Sequence, residues 1–224
     1  MAEQLAFDMP VVTAFGRDDF FTSAANAEAV AAVEGWAEWP LGKLVLVGPE
    51  GSGKSHLGRI WAELSGARVV DAIGDWEVDA LGGGAVCVED LHEMAKRPKN
   101  EEKLFHLHNM LAQSGQALLM TGQGVPASWG IGLPDPASRV QGSHLVQLGA
   151  PDDMLLAAVL LKQCADRQLV VEPGVVEFIL RRAERSFAGM RALVGALDQV
   201  SLQRKKPVGQ KMVREILARE EELD

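Results

Sequence analysis

Residues 48–55 read Gly48-Pro49-Glu50-Gly51-Ser52-Gly53-Lys54-Ser55, preceded by the apolar run Leu44-Val45-Leu46-Val47 and followed by a helical pattern. This G-x-x-x-x-G-K-[ST] spacing between a strand and a helix dictates the local fold. Its glycines let successive backbone N–H groups curl around a polyphosphate, and the helix opening near Lys54 turns its positive dipole end toward the same anion. Lys54 is placed to reach the β and γ phosphates of a nucleotide. Ser55 offers a hydroxyl to Mg²⁺, an ion that keeps several waters and takes few protein ligands. His56 follows directly and is counted with the loop as a nucleotide contact.

Strand-like and helix-like segments alternate through the first two thirds of the chain. The candidate strands are Lys43 to Val47, Arg68 to Ala72, Ala85 to Glu89, Ala117 to Thr121 and His144 to Leu148, each short, apolar and bounded by glycine, aspartate or serine. Helical patterns run from Ala24 to Trp36, Ser55 to Ser65 and Glu101 to Gln113, the last with Leu104, Leu107, His108 and Leu111 on one face. Near-continuous apolar strands alternating with helices predict a parallel sheet covered on both faces. After Pro151 the pattern is purely helical, over roughly 153–167, 173–185, 187–203 and 208–221. The expected layout is a flexible tail over 1–10, an α/β P-loop nucleotide-binding domain with a five-stranded parallel sheet over 11–150, and a small all-helical lid over 151–224.

Composition narrows the partners. A net charge of -9 with pI near 5.1 disfavours a general nucleic-acid surface, because backbone binding is driven by cations neutralising phosphates. Arg204-Lys205-Lys206 is the one tight basic cluster and reads as a solvated helix end. Cys87 and Cys164 are too few for a disulfide framework or a zinc site and suit a reducing cytoplasm. The acidic N-terminus is no signal peptide, and the longest apolar run, Met154 to Leu161, is far short of the roughly 18 residues of a membrane span. The expectation is a cytoplasmic protein with no membrane partner.

A second nucleotide element follows at Val86-Cys87-Val88-Glu89-Asp90, a buried strand ending in two acids. There Glu89 is placed to order the water shell of Mg²⁺ and Asp90 to polarise an attacking water. With the polar close of the fourth strand at Thr121-Gly122-Gln123 and the lid segment Gly189-Met190-Arg191-Ala192-Leu193, these elements resemble the AAA+ ATPases. Within them the chain is similar to the DnaA branch, and most to the short homologues of the Hda family that promote inactivation of the replication initiator. Leu118 to Gly122, Gly132-Leu133-Pro134-Asp135-Pro136-Ala137-Ser138-Arg139, Met190-Arg191 with Leu197-Asp198-Gln199, and Val213 to Leu217 carry that similarity.

The resemblance implies bound ADP or ATP with Mg²⁺. It assigns Arg139 as an arginine finger acting in trans on a neighbour's nucleotide, Arg191 as the lid arginine that senses nucleotide, and Phe21, Thr22 and Asn26, with Phe20, as the adenine cradle. The residue-level alternative for Arg139 is a surface arginine paired with Asp135, and a hydrophobic staple on the first helix explains the two phenylalanines equally well. The tail Gln4-Leu5-Ala6-Phe7-Asp8-Met9 is similar to the hexapeptide by which the family docks on the DNA polymerase sliding clamp, its beta subunit, with Gln4, Leu5, Phe7 and Met9 as anchors and Asp8 where proline is usual. A tail packed loosely on its own domain is the residue-level alternative. Initiators of this branch continue into a helix-turn-helix domain, whereas this chain stops at Asp224, so no direct sequence-specific DNA binding is expected.

The implied function is regulation of replication initiation by coupling the clamp to DnaA and promoting hydrolysis of DnaA-bound ATP, with a second copy of the chain as a further candidate partner. A small-molecule kinase and a DnaC-type helicase loader are the alternatives; neither an acceptor-binding cluster nor an aromatic, basic single-strand surface is visible for them. The family's aspartate-then-glutamate order is inverted at Glu89-Asp90, and Gln123 stands where the branch carries an aspartate. Slow intrinsic ATP hydrolysis is therefore expected.

Overall fold

A computed structural model describes residues 20–221; the anchors Gln4, Leu5, Phe7 and Met9 lie outside the described residues. Five parallel strands form one sheet: β1 (Lys43–Val47), β2 (Arg68–Asp71), β3 (Val86–Glu89), β4 (Leu118–Gly122) and β5 (His144–Gln147), in the order β2-β3-β4-β1-β5. β1 and β4 are buried at every position, as interior strands covered on both faces must be, whereas the edge strands β2 and β5 are largely exposed. The register sets Lys43 opposite Leu118 and Val47 opposite Gly122, so the ends of β1 and β4 are level.

Alternation along β1 builds two cores. Leu44 and Leu46 face α1 (Ala27–Glu34) and α2 (Lys54–Ser65), joining Trp39, Ile60 and Trp61, and the Trp39 and Trp61 rings stack with centroids 5.1 Å apart. Val45 and Val47 face α3 (Lys99–Ser114) and α4 (Pro134–Gln141), joining Leu104, Leu107, Leu111, Trp129 and Val140. A third core belongs to the C-terminal helices α5 (Asp153–Asp166), α6 (Val175–Leu180), α7 (Phe187–Arg204) and α8 (Gln210–Glu221), built on Leu156, Phe178, Met190, Leu193, Leu197 and Val213. The five expected strands are all present, and the four C-terminal helices form the lid.

Two elements differ from the sequence reading. α4 was absent from it because Pro134 and Pro136 look like breakers, yet both sit in the first turn, where a missing N–H costs nothing. α6 is shorter than the expected 173–185. It begins at a left-handed Gly174 and ends at Leu180, ahead of the extended Ser186 that caps α7.

Gly122 closes β4 directly against the Trp129 ring, where an added Cβ would lie 2.4 Å from a ring carbon. Gly122→Ala should therefore lower stability by about 1–3 kcal/mol, the ordinary cost of overpacking. Gly84, with nothing within 4 Å of its Cβ position, should accept alanine with a change within about 0.5 kcal/mol. Urea unfolding of the two variants checks the pair.

Candidate nucleotide site

The phosphate loop leaves the carboxyl end of β1 and turns into α2 through Gly53, whose φ of 95° is left-handed backbone that L side chains rarely adopt. The Lys54 ammonium is buried and donates to the carbonyls of Gly48 at 3.0 Å and Pro49 at 2.8 Å. Burial lowers its pKa, while the charges of Asp90 and then Glu50 raise it. The buried Ser52 hydroxyl has no partner among the described residues.

The strand-end acids stand beside this loop and have separate surroundings. Glu89 is half-buried and hydrogen-bonds the Ser55 hydroxyl; burial raises its pKa, the Ser55 bond lowers it, and Asp90 raises it again. Its Oε1 is buried without a partner among the described residues. A hydroxyl joined to a carboxylate that keeps one oxygen unengaged is a donor set suited to a hydrated Mg²⁺. Asp90 occupies left-handed backbone at φ 56°, and its N–H donates to Thr121 Oγ1 at 3.1 Å. That bond ties the end of β3 to the end of β4. Gln123, next but one after Thr121, gives its carbonyl to Trp129 Nε1 at 2.6 Å.

The lid arginine reaches the loop. A Cβ on Gly51 would stand 3.0 Å from Phe187 Cβ and 3.4 Å from Arg191 Nη2, so the first turn of α7 lies directly over the phosphate loop. On the other side, the Phe20 ring lies 3.1 Å from the Cβ position of Gly53 and meets the His56 ring edge-on at 5.0 Å. Phe21 and Thr22 are exposed. Asn26 is buried, accepts from the Ser23 N–H at 2.8 Å and donates to the Phe21 carbonyl at 2.9 Å, so its side chain shapes the segment. The residues at 20–26, 48–56, 89–90 and 191 are thus gathered at one end of the sheet.

Arg139 is elsewhere. Its Nη1 donates to Asn109 Oδ1 and lies 2.8 Å from His108 Nδ1, and its Cζ sits 4.9 Å from the centre of the Phe105 ring. No ion pair with Asp135 forms among the described residues. Its charge is felt by Lys43, at the start of β1, whose pKa is lowered first by burial and then by Arg139. Lys43 and Val47 are about 13 Å apart at a strand rise of about 3.3 Å per residue, so Arg139 belongs to the end of the sheet opposite the loop. The sequence reading missed the surroundings of this arginine, and the only signal for them was a histidine in the apolar stripe of α3. It also missed Phe187 against Gly51.

Residues 152–217 match the family described as Hda, lid domain. The fold is shared with domain III of the Thermotoga maritima replication initiation protein DnaA, at 16% identity and TM-score 0.77 over 92% of this chain and 96% of that one. It is also shared with AMPPCP-bound DnaA from Aquifex aeolicus, at 14% identity and TM-score 0.71 over 93% and 70%. The Thermotoga maritima RuvB Holliday junction branch migration motor has it too, at 14% identity and TM-score 0.65 over 92% and 72%. No helix among the described residues is long and apolar enough to cross a membrane.

Two outcomes follow from the geometry. Lys54→Ala should weaken adenine-nucleotide binding about a hundredfold or more by calorimetry, as loss of a charge-assisted contact worth about 3 kcal/mol requires. His108 is held at a pKa of about 4, against 6.5 when solvated, by burial, then Lys43, then Arg139. A depressed pKa means that the unfolded chain binds the proton more readily. Stability should therefore be full above pH 6.5 and fall as pH drops from 6.5 through about 4. Acid titration of the melting temperature should show His108→Asn with a shallower decline over that window. The C-terminal helices are thus similar to the lid of the Hda family over residues 152–217, and the chain as a whole shares its fold with domain III of DnaA.

Proposed function

We propose that the chain is an adenine-nucleotide-binding regulator of replication initiation, one that couples the sliding clamp to DnaA and promotes hydrolysis of DnaA-bound ATP. The Hda-type lid and the DnaA fold support DnaA as the partner. AMPPCP in the Aquifex aeolicus neighbour supports adenine nucleotide as the ligand here. The observation that carries the reading is the position of Arg139, at the opposite end of β1 from the chain's own phosphate loop. From there its cation serves a second nucleotide, across an interface, and an arginine so placed stabilises charge on a transferring phosphoryl group.

Within its own site the chain binds more readily than it hydrolyses. Lys54 and Arg191 supply cations to the phosphates, and the Ser55–Glu89 pair would hold Mg²⁺, which contributes charge neutralisation to the phosphates when bound. Of the strand-end pair Asp90 is left to polarise water, on a short side chain, and Gln123 has no base to offer. Bound ADP or ATP then serves chiefly to fix α7 over the loop. Residues 1–10 act as the clamp-binding segment, 11–150 as the nucleotide domain and 151–224 as the lid; Leu5, Phe7 and Met9 fill an apolar clamp pocket while Gln4 meets polar groups at its edge.

Turnover of ATP preloaded on DnaA, in the presence of DNA-loaded clamp, tests this reading. The chain should accelerate it, and Arg139→Ala should remove about a hundredfold or more of that acceleration while keeping its own nucleotide affinity. Replacing Gln4, Leu5 and Phe7 with alanine should abolish clamp binding and leave the melting temperature unchanged. Brisk ATP turnover by the isolated chain, indifferent to Arg139, would show a free-standing ATPase instead.

A further inference from the structure

A guanidinium that must act on a distant phosphate faces two problems. A flexible side chain loses entropy when it docks, and a side chain already paired with a carboxylate must break that pair first. Arg139 has neither difficulty. Its Nη1 is held by His108 Nδ1 and Asn109 Oδ1, and its Cζ lies 4.9 Å from the Phe105 ring centre. All three partners come from α3 and all are neutral: His108 titrates near 4, so its Nδ1 stays an acceptor at physiological pH. The charged groups that act on His108 are Lys43 and Arg139 itself, both cations, and neither offsets the arginine's charge. Among the described residues, Nε and Nη2 take no hydrogen bond and no carboxylate pairs with the side chain. That pair of nitrogens is one of the two edges that meet a phosphate bidentately.

The helix bearing Arg139 is fixed from the same side. Glu101, buried on α3, accepts from the N–H of Gly132 at 3.1 Å with one oxygen and of Leu133 at 2.8 Å with the other, so α3 pins the entry of α4 as well as its arginine.

We propose that Phe105, His108 and Asn109 are positioning residues that preset Arg139, gripping Nη1 and one face of the guanidinium so that its Nε–Nη2 edge is ready for the phosphates of a neighbouring subunit's nucleotide. This rests on the trans role of Arg139 given above. The grip replaces a search over rotamers by a fixed approach, and holding a reacting group within about 1 Å of its working place is worth about a hundredfold in rate.

The test uses the full chain with DnaA preloaded with ATP and DNA-loaded clamp. His108→Ala, Asn109→Ala and Phe105→Leu should each lower the maximal stimulated rate about tenfold to a hundredfold, with the half-saturating concentration of the chain changed less than about twofold. His108→Asn, whose amide oxygen stands near the Nδ1 position, should recover most of the loss; a merely structural role for His108 would give no such split and no such rescue. A second readout is independent of DnaA. In nitrogen-15 spectra of the chain alone, rotation of the Arg139 guanidinium should be slow in the wild type and fast in His108→Ala. Full stimulation by all three variants, or fast rotation in the wild type, overturns the proposal. Absence of stimulation by the wild type together with slow rotation strikes the trans role and leaves the grip standing.

Discussion

The molecule depends on β1 being the bridge between two ends. All five of its residues pair with β4 and four of them, Leu44 to Val47, pair with β5 as well, and alternate side chains are buried in two separate cores. Paired on both sides and covered on both faces, the strand cannot shift without exposing one core or the other. Its carboxyl end delivers the phosphate loop, and its amino end presents Lys43 beside Arg139. A strand about 13 Å long therefore keeps the Arg139 cation apart from the chain's own phosphate loop, the separation on which the proposed trans role rests.

The loop end is assembled from four directions. Phe20 packs on Gly53 and His56, Glu89 bonds Ser55, Asp90 is tied to Thr121, and α7 lays Phe187 and Arg191 against Gly51. The lid is also tied to the segment preceding α1. Asp152 accepts from the Leu155 N–H at 2.8 Å, and its carboxyl is held below the usual range by that bond first, then by the Ser23 hydroxyl and the Ala25 N–H. Gly149 N–H donates to the Ala25 carbonyl at 3.2 Å. A nucleotide placed among these groups would touch both the sheet and the lid, so its occupancy is coupled physically to lid position.

Much of this was legible because local chemistry and tertiary demand agree. The phosphate loop needs glycines, a lysine and a hydroxyl in fixed order, and β1, buried on both sides, shows the apolar run Leu44 to Val47. The placement of Arg191 followed from resemblance, since nothing in helical periodicity says that α7 begins over Gly51. α4 was hidden because prolines at its first turn carry the same letters as a break. The grip on Arg139 was invisible for a different reason: it joins residues 105–109 to residue 139, and no local pattern records a contact across that separation. His108 showed only as a polar member of an apolar stripe, and the one local partner weighed for Arg139 was Asp135, four residues before it.

The central claim is that one end of β1 serves the chain's own nucleotide and the other end serves a neighbour's. Electron cryo-microscopy of the chain with DnaA carrying ADP and aluminium fluoride, assembled on DNA-loaded clamp, tests it most directly. The account predicts Arg139 with Nε and Nη2 about 3 Å from the fluoride groups on DnaA, and Nη1 still on His108 and Asn109. Arg139 turned away from the DnaA nucleotide, or a complex formed through the opposite end of the sheet, would contradict it.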